Sequence, residues 1–399
     1  MNETLSSQEL SILITRVFQP RPTEHSIAFL VDLPDAVVGD SEVWAQRRQL
    51  AIEWASSLHK LSVDKSSVDE ASGFPLQVNL VFYRNAHTNN GDLPPTAWVV
   101  SPDLDSQAIP PNAEAMEGQP AVPFEKVFAE NPMIVAPTEF SATAPLKIAA
   151  RTYPFRAATM PGFTAAMIPA LKLDYEEINR RVLRLKQLVD DASSATCRFL
   201  VDNRVQRELR LDLRHRTAHA SGGRFPDLGV AGNLPSGECY VVPYEGELEG
   251  DPSQTEGFLP VELEGHVVTY RIAANKAVEI FETEDCNTAR TEAQKIAEEP
   301  AYANLAELGL GVLDAFGVEP TGEILLDEKL GLHIAFGRSD HFGGSVGPRD
   351  FSSPDAVVHI DRVYVPRIQP RVHVLDVVLT TSTGQKLALM ENGRYVIDF

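Results

Sequence analysis

The chain has 399 residues, of which 35 are basic and 56 are acidic, so its formal net charge is −21. Hydrophobic residues make up 43% and charged residues 23%, which is typical of a folded globular protein, and the length predicts roughly two or three domains. The acidic excess argues against binding to nucleic acid and to anionic membranes, both of which need clustered lysine and arginine.

The cellular compartment is indicated by several features that are missing from the sequence. The N-terminal segment MNETLSSQELSILITRVF lacks the charged and apolar regions of a signal peptide, and no run approaches the roughly 18 apolar residues that span a bilayer. The three cysteines, Cys197, Cys239 and Cys286, are too few and too widely spaced for a disulfide framework or a Cys-rich zinc site, and we expect buried thiols. We therefore expect a cytoplasmic protein.

The first half of the chain predicts an α/β domain. Apolar, β-branched runs over 27–33 and 76–84 have the length of strands, and 41–61 predicts a helix that Ser41 caps. A Pro-rich stretch over 86–125 predicts surface loop or an inserted segment.

A helix predicted over 173–193 ends this half, because its apolar residues repeat every three or four positions after a capping-box pair, Asp174 and Glu177. Beyond it the periodicity changes to two, first over 205–216 and finally over 377–399, where two strands flank an Asn-Gly turn. The predicted fold class is therefore α+β.

We place the domain boundary at the end of this helix. Residues 1–192 are predicted to form an N-terminal α/β domain, and residues 193–399 a β-rich C-terminal domain.

Four short segments of the second half combine chemically active residues with glycine or apolar strands. They are NLPSGECYVVP (233–243), LAELGLG (305–311), DEKLGLHIAFG (327–337) and VVHIDRV (357–363). In the last segment His359 and Asp361 are two positions apart, so an extended strand would place both side chains on one face, as adjacent metal ligands require.

Each segment also has a simpler interpretation. His-x-Asp is more often a hydrogen-bonded pair, a glutamate beside glycine is more often a solvated turn residue, and DEK predicts a charged loop with local ion pairing. Their occurrence together favours a metal site, because carboxylates and imidazoles beside apolar strands need partners, and these ligands suit divalent ions.

As an ordered set, NLPSGE, AELGLG, DEK-LG-HIAFG and HID resemble the thermophilic leucyl aminopeptidases typified by aminopeptidase T and aminopeptidase S. The resemblance covers roughly residues 150–399, including RAATMPGFTAAM (156–167), and the first 150 residues match only loosely. It implies a C-terminal metallopeptidase domain with two divalent ions (zinc, cobalt, manganese or magnesium). It further implies hydrolysis of a small peptide or amino-acid amide at its free N-terminus, and a homodimer.

The same resemblance assigns roles to individual residues. Glu328 would be the general base that accepts the proton of the attacking water. The metal ligands would be Glu238, Glu307, His333, His359 and Asp361.

One position departs from the family pattern. The family has a tyrosine seven residues after the histidine of the DEK segment, where it helps to stabilise the tetrahedral intermediate, and this chain has Asp340 there. His341, the next residue, could take that role as an imidazolium or could be an ordinary loop histidine.

Two other functions remain open. Dihydroxypyridine dioxygenases resemble these peptidases and use a single non-haem iron, Fe(II), which His359, Asp361 and Glu307 could hold in this chain. Against this, the chain also retains Glu238, Glu328 and His333, several of which the dioxygenase branch has lost. The third alternative is a metal-binding or scaffold protein whose catalysis has lapsed together with the family tyrosine.

Overall fold

A computed structural model describes residues 4–63, 74–104, 109–282 and 287–399. The helices are α1 (Ser7–Phe18), α2 (Glu42–Val63), α3 (Phe124–Glu130), α4 (Thr143–Ala150), α5 (Ile168–Leu171), α6 (Tyr175–Asp190), α7 (Asn287–Glu298) and α8 (Ile324–Asp327). The first ten strands are β1 (Ser26–Leu33), β2 (Gln77–Arg84), β3 (Thr96–Val100), β4 (Val122–Pro123), β5 (Met133–Ala136), β6 (Arg156–Thr159), β7 (Ala192–Val201), β8 (Val205–Asp212), β9 (His219–Ser221) and β10 (Val230–Asn233). The remaining strands are β11 (Glu238–Val241), β12 (Glu256–Leu263), β13 (His266–Ala273), β14 (Lys276–Glu282), β15 (Leu305–Gly311), β16 (Leu332–Gly337), β17 (His359–Val363), β18 (Val372–Thr381), β19 (Lys386–Glu391) and β20 (Arg394–Tyr395).

The chain divides into two compact units. The first comprises Met1–Glu176 and Gly223–Ser236, and the second comprises Glu177–Gly222 and Gly237–Phe399. The sequence predicts a single boundary at residue 192, and this division differs from it. The difference arises because the chain returns to the first unit for strand β10, which pairs in parallel with β6.

Most of α6 also belongs to the second unit. Asp190, at its C-terminal end, accepts a hydrogen bond of 2.7 Å from the backbone N–H of Ala218, and the guanidinium of Arg181 lies 4.7 Å from the ring of Phe316. These contacts join the helix to residues that follow it in the chain.

The first unit is built on a sheet with the strand order β10-β6-β5-β1-β2-β3-β4. The strands from β10 to β2 run parallel, as the predicted α/β architecture requires, and β1 is buried along almost its whole length. The predicted helix is α2, whose first turn is capped by Ser41 Oγ accepting from the N–H of Trp44 at 3.1 Å.

The Pro-rich stretch is partly strand rather than loop. β3 pairs antiparallel with β2 and places Trp98 opposite Phe82, so the loop prediction is wrong for this segment. Residues 105–108 of the stretch lie outside the described residues.

The second unit contains two antiparallel sheets. One has five strands in the order β17-β16-β15-β11-β9, and the other has eight in the order β14-β13-β12-β8-β7-β18-β19-β20. The alternation predicted over 205–216 appears in β8, where Leu209 and Leu211 are buried. The Asn-Gly turn joins β19 to β20, with Asn392 and Gly393 in the left-handed region that such turns need.

Two further expectations concern the cysteines and the membrane. Cys197 and Cys239 are free and buried, and Cys286 lies outside the described residues. Among the described helices, none combines the length and the apolar character that a membrane crossing requires.

Candidate metal site

Four neighbouring strands of the five-stranded sheet bring the five predicted ligands together. Glu238 begins β11, Glu307 lies on β15, His333 on β16, and His359 and Asp361 on β17. Because the side chains of paired residues lie on the same face of a sheet, the register of these strands determines which of the five can meet.

Glu238, Glu307 and His333 form the first group, and all three are buried. The Nε2 atom of His333 lies 3.2 Å from Glu307 Oε1 and 3.6 Å from Glu238 Oε2. The other ring nitrogen, Nδ1, lies 3.2 Å from the carbonyl oxygen of Gly331.

Glu307, His359 and Asp361 form the second group, and Glu307 belongs to both. The Nε2 atom of His359 lies 3.4 Å from Glu307 Oε2 and 3.6 Å from Asp361 Oδ1, while its Nδ1 lies 2.8 Å from the carbonyl oxygen of Arg338. Each oxygen of the Glu307 carboxylate therefore faces a different histidine.

The hydrogen-bonding pattern fits a cation in each group. A backbone carbonyl only accepts, so Nδ1 of both histidines carries a hydrogen. A protonated imidazole donates from Nε2 to the facing carboxylate oxygens, whereas a neutral imidazole would offer the Nε2 lone pair to a cation. In addition, Glu238 Oε2 and Asp361 Oδ1 are buried without a hydrogen-bond partner. Each group thus offers one imidazole nitrogen, one oxygen of Glu307 and one unpartnered carboxylate oxygen, which are ligands that a divalent ion would take.

The pKa shifts of Glu307 and of the two histidines show that the buried carboxylates favour positive charge beside them. Burial alone would raise the pKa of Glu307, but hydrogen bonds from His333 and His359 hold that pKa well below its usual range. Burial by itself lowers the pKa of His333, but the Glu307 carboxylate raises that pKa, which reaches about 9. The pKa of His359 is also well above its usual value, against burial, because of Asp361 and Glu307.

The position of the His333 side chain requires glycine at position 309, two residues after Glu307. In the sheet Gly309 lies between Tyr240 on one side and His333 on the other. A Cβ atom at this position would lie 1.8 Å from His333 Nε2, so only glycine leaves room for the imidazole. The glycine of AELG is therefore part of the site.

Glu328 lies in a 3₁₀ turn between α8 and β16, where the sequence analysis placed a general base. Burial raises the pKa of this carboxyl to about 8; the negative charges of Glu238 and Asp361 add to the rise, and the positive charge of Lys329 opposes it. A carboxyl with a pKa near neutrality can both accept and release a proton under physiological conditions.

Lys329 is a further member of the site and is not among the residues predicted from the sequence. Its side chain is 1% exposed, and its Nζ lies 2.5 Å from Glu238 Oε1 and also binds Glu328. The DEK segment does form local ion pairs, but inside the unit instead of in a charged loop. The only sequence signal was a lysine followed directly by the apolar Leu-Gly-Leu run.

His341 and Asp340 lie in a 3₁₀ turn beside the second group, and the two imidazole centroids of His341 and His359 are 5.5 Å apart. Burial, His359 and Arg338 lower the pKa of His341 to about 4, so the neutral form is favoured over the imidazolium that the sequence analysis considered. Asp340 is paired with Arg338, which holds its pKa below the usual value against the effect of burial.

The chain resembles two solved structures along its whole length. One is the 2,5-dihydroxypyridine dioxygenase from Pseudomonas putida KT2440, with a TM-score of 0.60 and 14% identity over 99% of each chain. The other is AmpT from Thermus thermophilus, with a TM-score of 0.53 and 16% identity over 98% of this chain and 99% of that one. No protein-family model and no curated protein matches the sequence. At these identities the likeness shows only that the three chains share an α+β fold. The shared fold includes the first unit, in which the sequence motifs matched only loosely.

Proposed function

We propose that the chain is a metal-dependent aminopeptidase with two divalent ions. The observation that carries this proposal is the symmetry about Glu307: each of its carboxylate oxygens faces one histidine, and each histidine also faces one unpartnered carboxylate oxygen. Two ion sites that share a bridging carboxylate are the arrangement used in dinuclear hydrolysis.

The residues that would hold the ions follow from the two groups. Glu238 and His333 would hold one ion, His359 and Asp361 would hold the other, and Glu307 would contribute to both. Ions held there would lower the pKa of a bound water and would stabilise negative charge on a carbonyl oxygen.

Glu328 is the proposed general base for proton transfer. Its carboxyl is not a member of either ligand group, and it lies within the electrostatic influence of Glu238 and Asp361. Glu328 would accept the proton of the attacking water and pass it to the leaving amine. Lys329 holds this carboxyl in position through its ion pair and offsets part of the negative charge of the buried carboxylates.

A mononuclear iron dioxygenase is the second candidate, and the fold shared with the dihydroxypyridine enzyme favours it. The group Glu307, His359 and Asp361 could hold one iron. This group contains one histidine and two carboxylates, however, in place of the two histidines and one carboxylate typical of such iron sites. Glu238 and His333, the other two residues of the first group, would also have no role, so we favour the peptidase.

The deciding experiment measures amine release from unblocked and N-acetylated amino-acid amides by the protein loaded with cobalt, zinc or manganese. Wild type is compared with Glu328→Gln and with Glu298→Gln, an exposed helical glutamate, as the matched control. We expect wild type and the control to hydrolyse only the unblocked amides, and Glu328→Gln to lose about 100-fold or more in kcat.

Equal background rates in wild type and Glu328→Gln would contradict the peptidase proposal. Oxygen uptake by the Fe(II)-loaded protein with a dihydroxylated pyridine would then support the second candidate.

A further inference from the structure

A chain of touching rings leads from the second ligand group towards solvent. We call Tyr240, Phe342, His341 and His219 the aromatic shelf. The Phe342 centroid lies 5.5 Å from that of His359, 4.9 Å from that of Tyr240 and 3.8 Å from that of His341. His219 stacks on Tyr240 at 5.1 Å with an interplanar angle of 20°.

The shelf is part of the same sheet surface as the ligands. Tyr240 lies two positions after Glu238 on β11, so both side chains are on one face, and it is paired with Gly309, whose other neighbour is His333. His219 on β9 is the partner of Tyr240 and hydrogen-bonds through Nε2 to the carbonyl oxygen of Phe342 at 3.0 Å. Two strands and one turn therefore hold the rings in place beside the two ligand groups.

These rings differ from the rings of the core because they keep contact with water. Phe336, on β16 of the same sheet, is fully buried, whereas Tyr240 and Phe342 are half-buried and His219 is exposed. Aromatic faces that remain partly wet beside a catalytic centre gain stability when an apolar group covers them.

Among the described residues, the arginines beside Phe342 are already paired with carboxylates. Arg338 and Asp340 are joined by a hydrogen bond of 2.5 Å between Nε and Oδ1. Arg216, which donates to the carbonyl oxygen of Gly343 next to Phe342, is paired with Glu247. An acidic or basic group placed on the rings would lose water without gaining a partner, which is costly.

We propose that the aromatic shelf binds the side chain of the substrate's first residue and that the enzyme prefers an aromatic side chain at this position. The proposal rests on the proposed aminopeptidase function, because the amide bond that reacts must lie at the ions while the adjoining side chain lies on the rings. Phe342 is the central residue, since it touches His359, Tyr240 and His341.

The test compares the binding of phenylalanine, alanine and aspartate hydroxamates to the metal-loaded protein, because a hydroxamate chelates the ions and leaves the side chain free to contact the shelf. We expect wild type to bind the phenylalanine compound roughly tenfold or more tightly than the alanine compound, and the aspartate compound most weakly. Phe342→Ala should abolish the preference for phenylalanine, and Phe342→Leu should retain part of it.

Phe281→Ala is the matched control, because Phe281 is an exposed ring on the eight-stranded sheet, outside the shelf, and its replacement should leave the preference unchanged. Metal content and thermal unfolding are measured for every variant to separate loss of the shelf from loss of the site. Equal affinities for phenylalanine and alanine hydroxamates in wild type, or an undiminished preference in Phe342→Ala, would overturn the proposal. If wild type hydrolyses all amides equally well, the shelf proposal fails while the peptidase proposal stands. If it neither binds the hydroxamates nor hydrolyses amides, both fail.

Discussion

The ammonium group of Lys329 lies 2.5 Å from the carboxylate oxygen Oε1 of Glu238, a residue 91 positions earlier in the chain. Both side chains are buried, and Lys329 also pairs with Glu328. The ammonium group of Lys329 thus joins Glu238, a proposed metal ligand, to Glu328, the proposed general base. Burial alone would lower the pKa of Lys329, but the two carboxylates raise it far above its usual value, so the ammonium is charged at every pH at which the protein would work.

Lys329→Met is expected to destabilise the protein strongly. The substitution leaves Glu238 and Glu328 buried without their counter-charge, and removal of one partner from a buried ion pair costs about 3–5 kcal/mol in the free energy of unfolding. Urea denaturation of the chelator-treated protein measures this loss. Lys186→Ala, which breaks an exposed ion pair with Asp190, is the control and should cost less than about 1 kcal/mol. A similar small loss in both variants would show that Lys329 is solvated.

Gly309→Ala is expected to weaken metal binding by roughly 10- to 100-fold, comparable to the loss of a group that orients a ligand. The added methyl group would lie 1.8 Å from His333 Nε2 and would displace the imidazole from the first group. Competition with a chromogenic chelator gives the affinity. Gly39→Ala is the control, because no atom lies within 4 Å of a Cβ at that position. Unchanged affinity in Gly309→Ala would place His333 outside the site.

Glu307→Gln and Asp361→Asn are expected to differ in the number of ions lost. Glu307 faces both groups through its two oxygens, so its replacement should remove both ions, whereas Asp361 belongs to one group and its replacement should remove one. Elemental analysis after dialysis against a limiting metal concentration gives the ion count per chain. If the two variants retain the same number of ions, Glu307 is not a bridge.

The stability of the metal-free protein is expected to fall as the pH rises from about 6.5 to about 9. The pKa of His333 is about 9 in the folded protein, above its ordinary value of 6.5, so the folded state binds more protons than the unfolded state in this range. The stabilisation is complete below pH 6.5 and is lost as the pH passes through 9. Glu328, with a pKa of about 8, acts in the same direction. Urea unfolding at a series of pH values with and without chelator measures the effect, and saturating metal should flatten the decline because an ion replaces the proton. A pH-independent stability in chelator would contradict the protonated state of His333.

Much of the architecture could be predicted from local patterns. Leucines at every second position predicted β8 as a strand with one buried face. The continuous apolar run of β1 predicted a strand that is buried on both faces. Both patterns can be read from neighbouring residues in the sequence. The motif segments predicted the proposed ligands because each combined a charged or imidazole side chain with glycine or an apolar strand. The predicted boundary at residue 192 could not anticipate that β10 returns to the first sheet, since strand pairing over such a distance leaves no local signal.

The acidic composition, the class of fold and the ligand types follow from the sequence alone, because composition and periodicity are properties of short stretches of chain. The tertiary structure decided which oxygen meets which nitrogen. The order of β11, β15, β16 and β17 and their register place Glu307 between two histidines and bring Lys329 to Glu238. This arrangement results from the packing of whole strands, and a one-residue change in register would turn these side chains to the opposite face of the sheet.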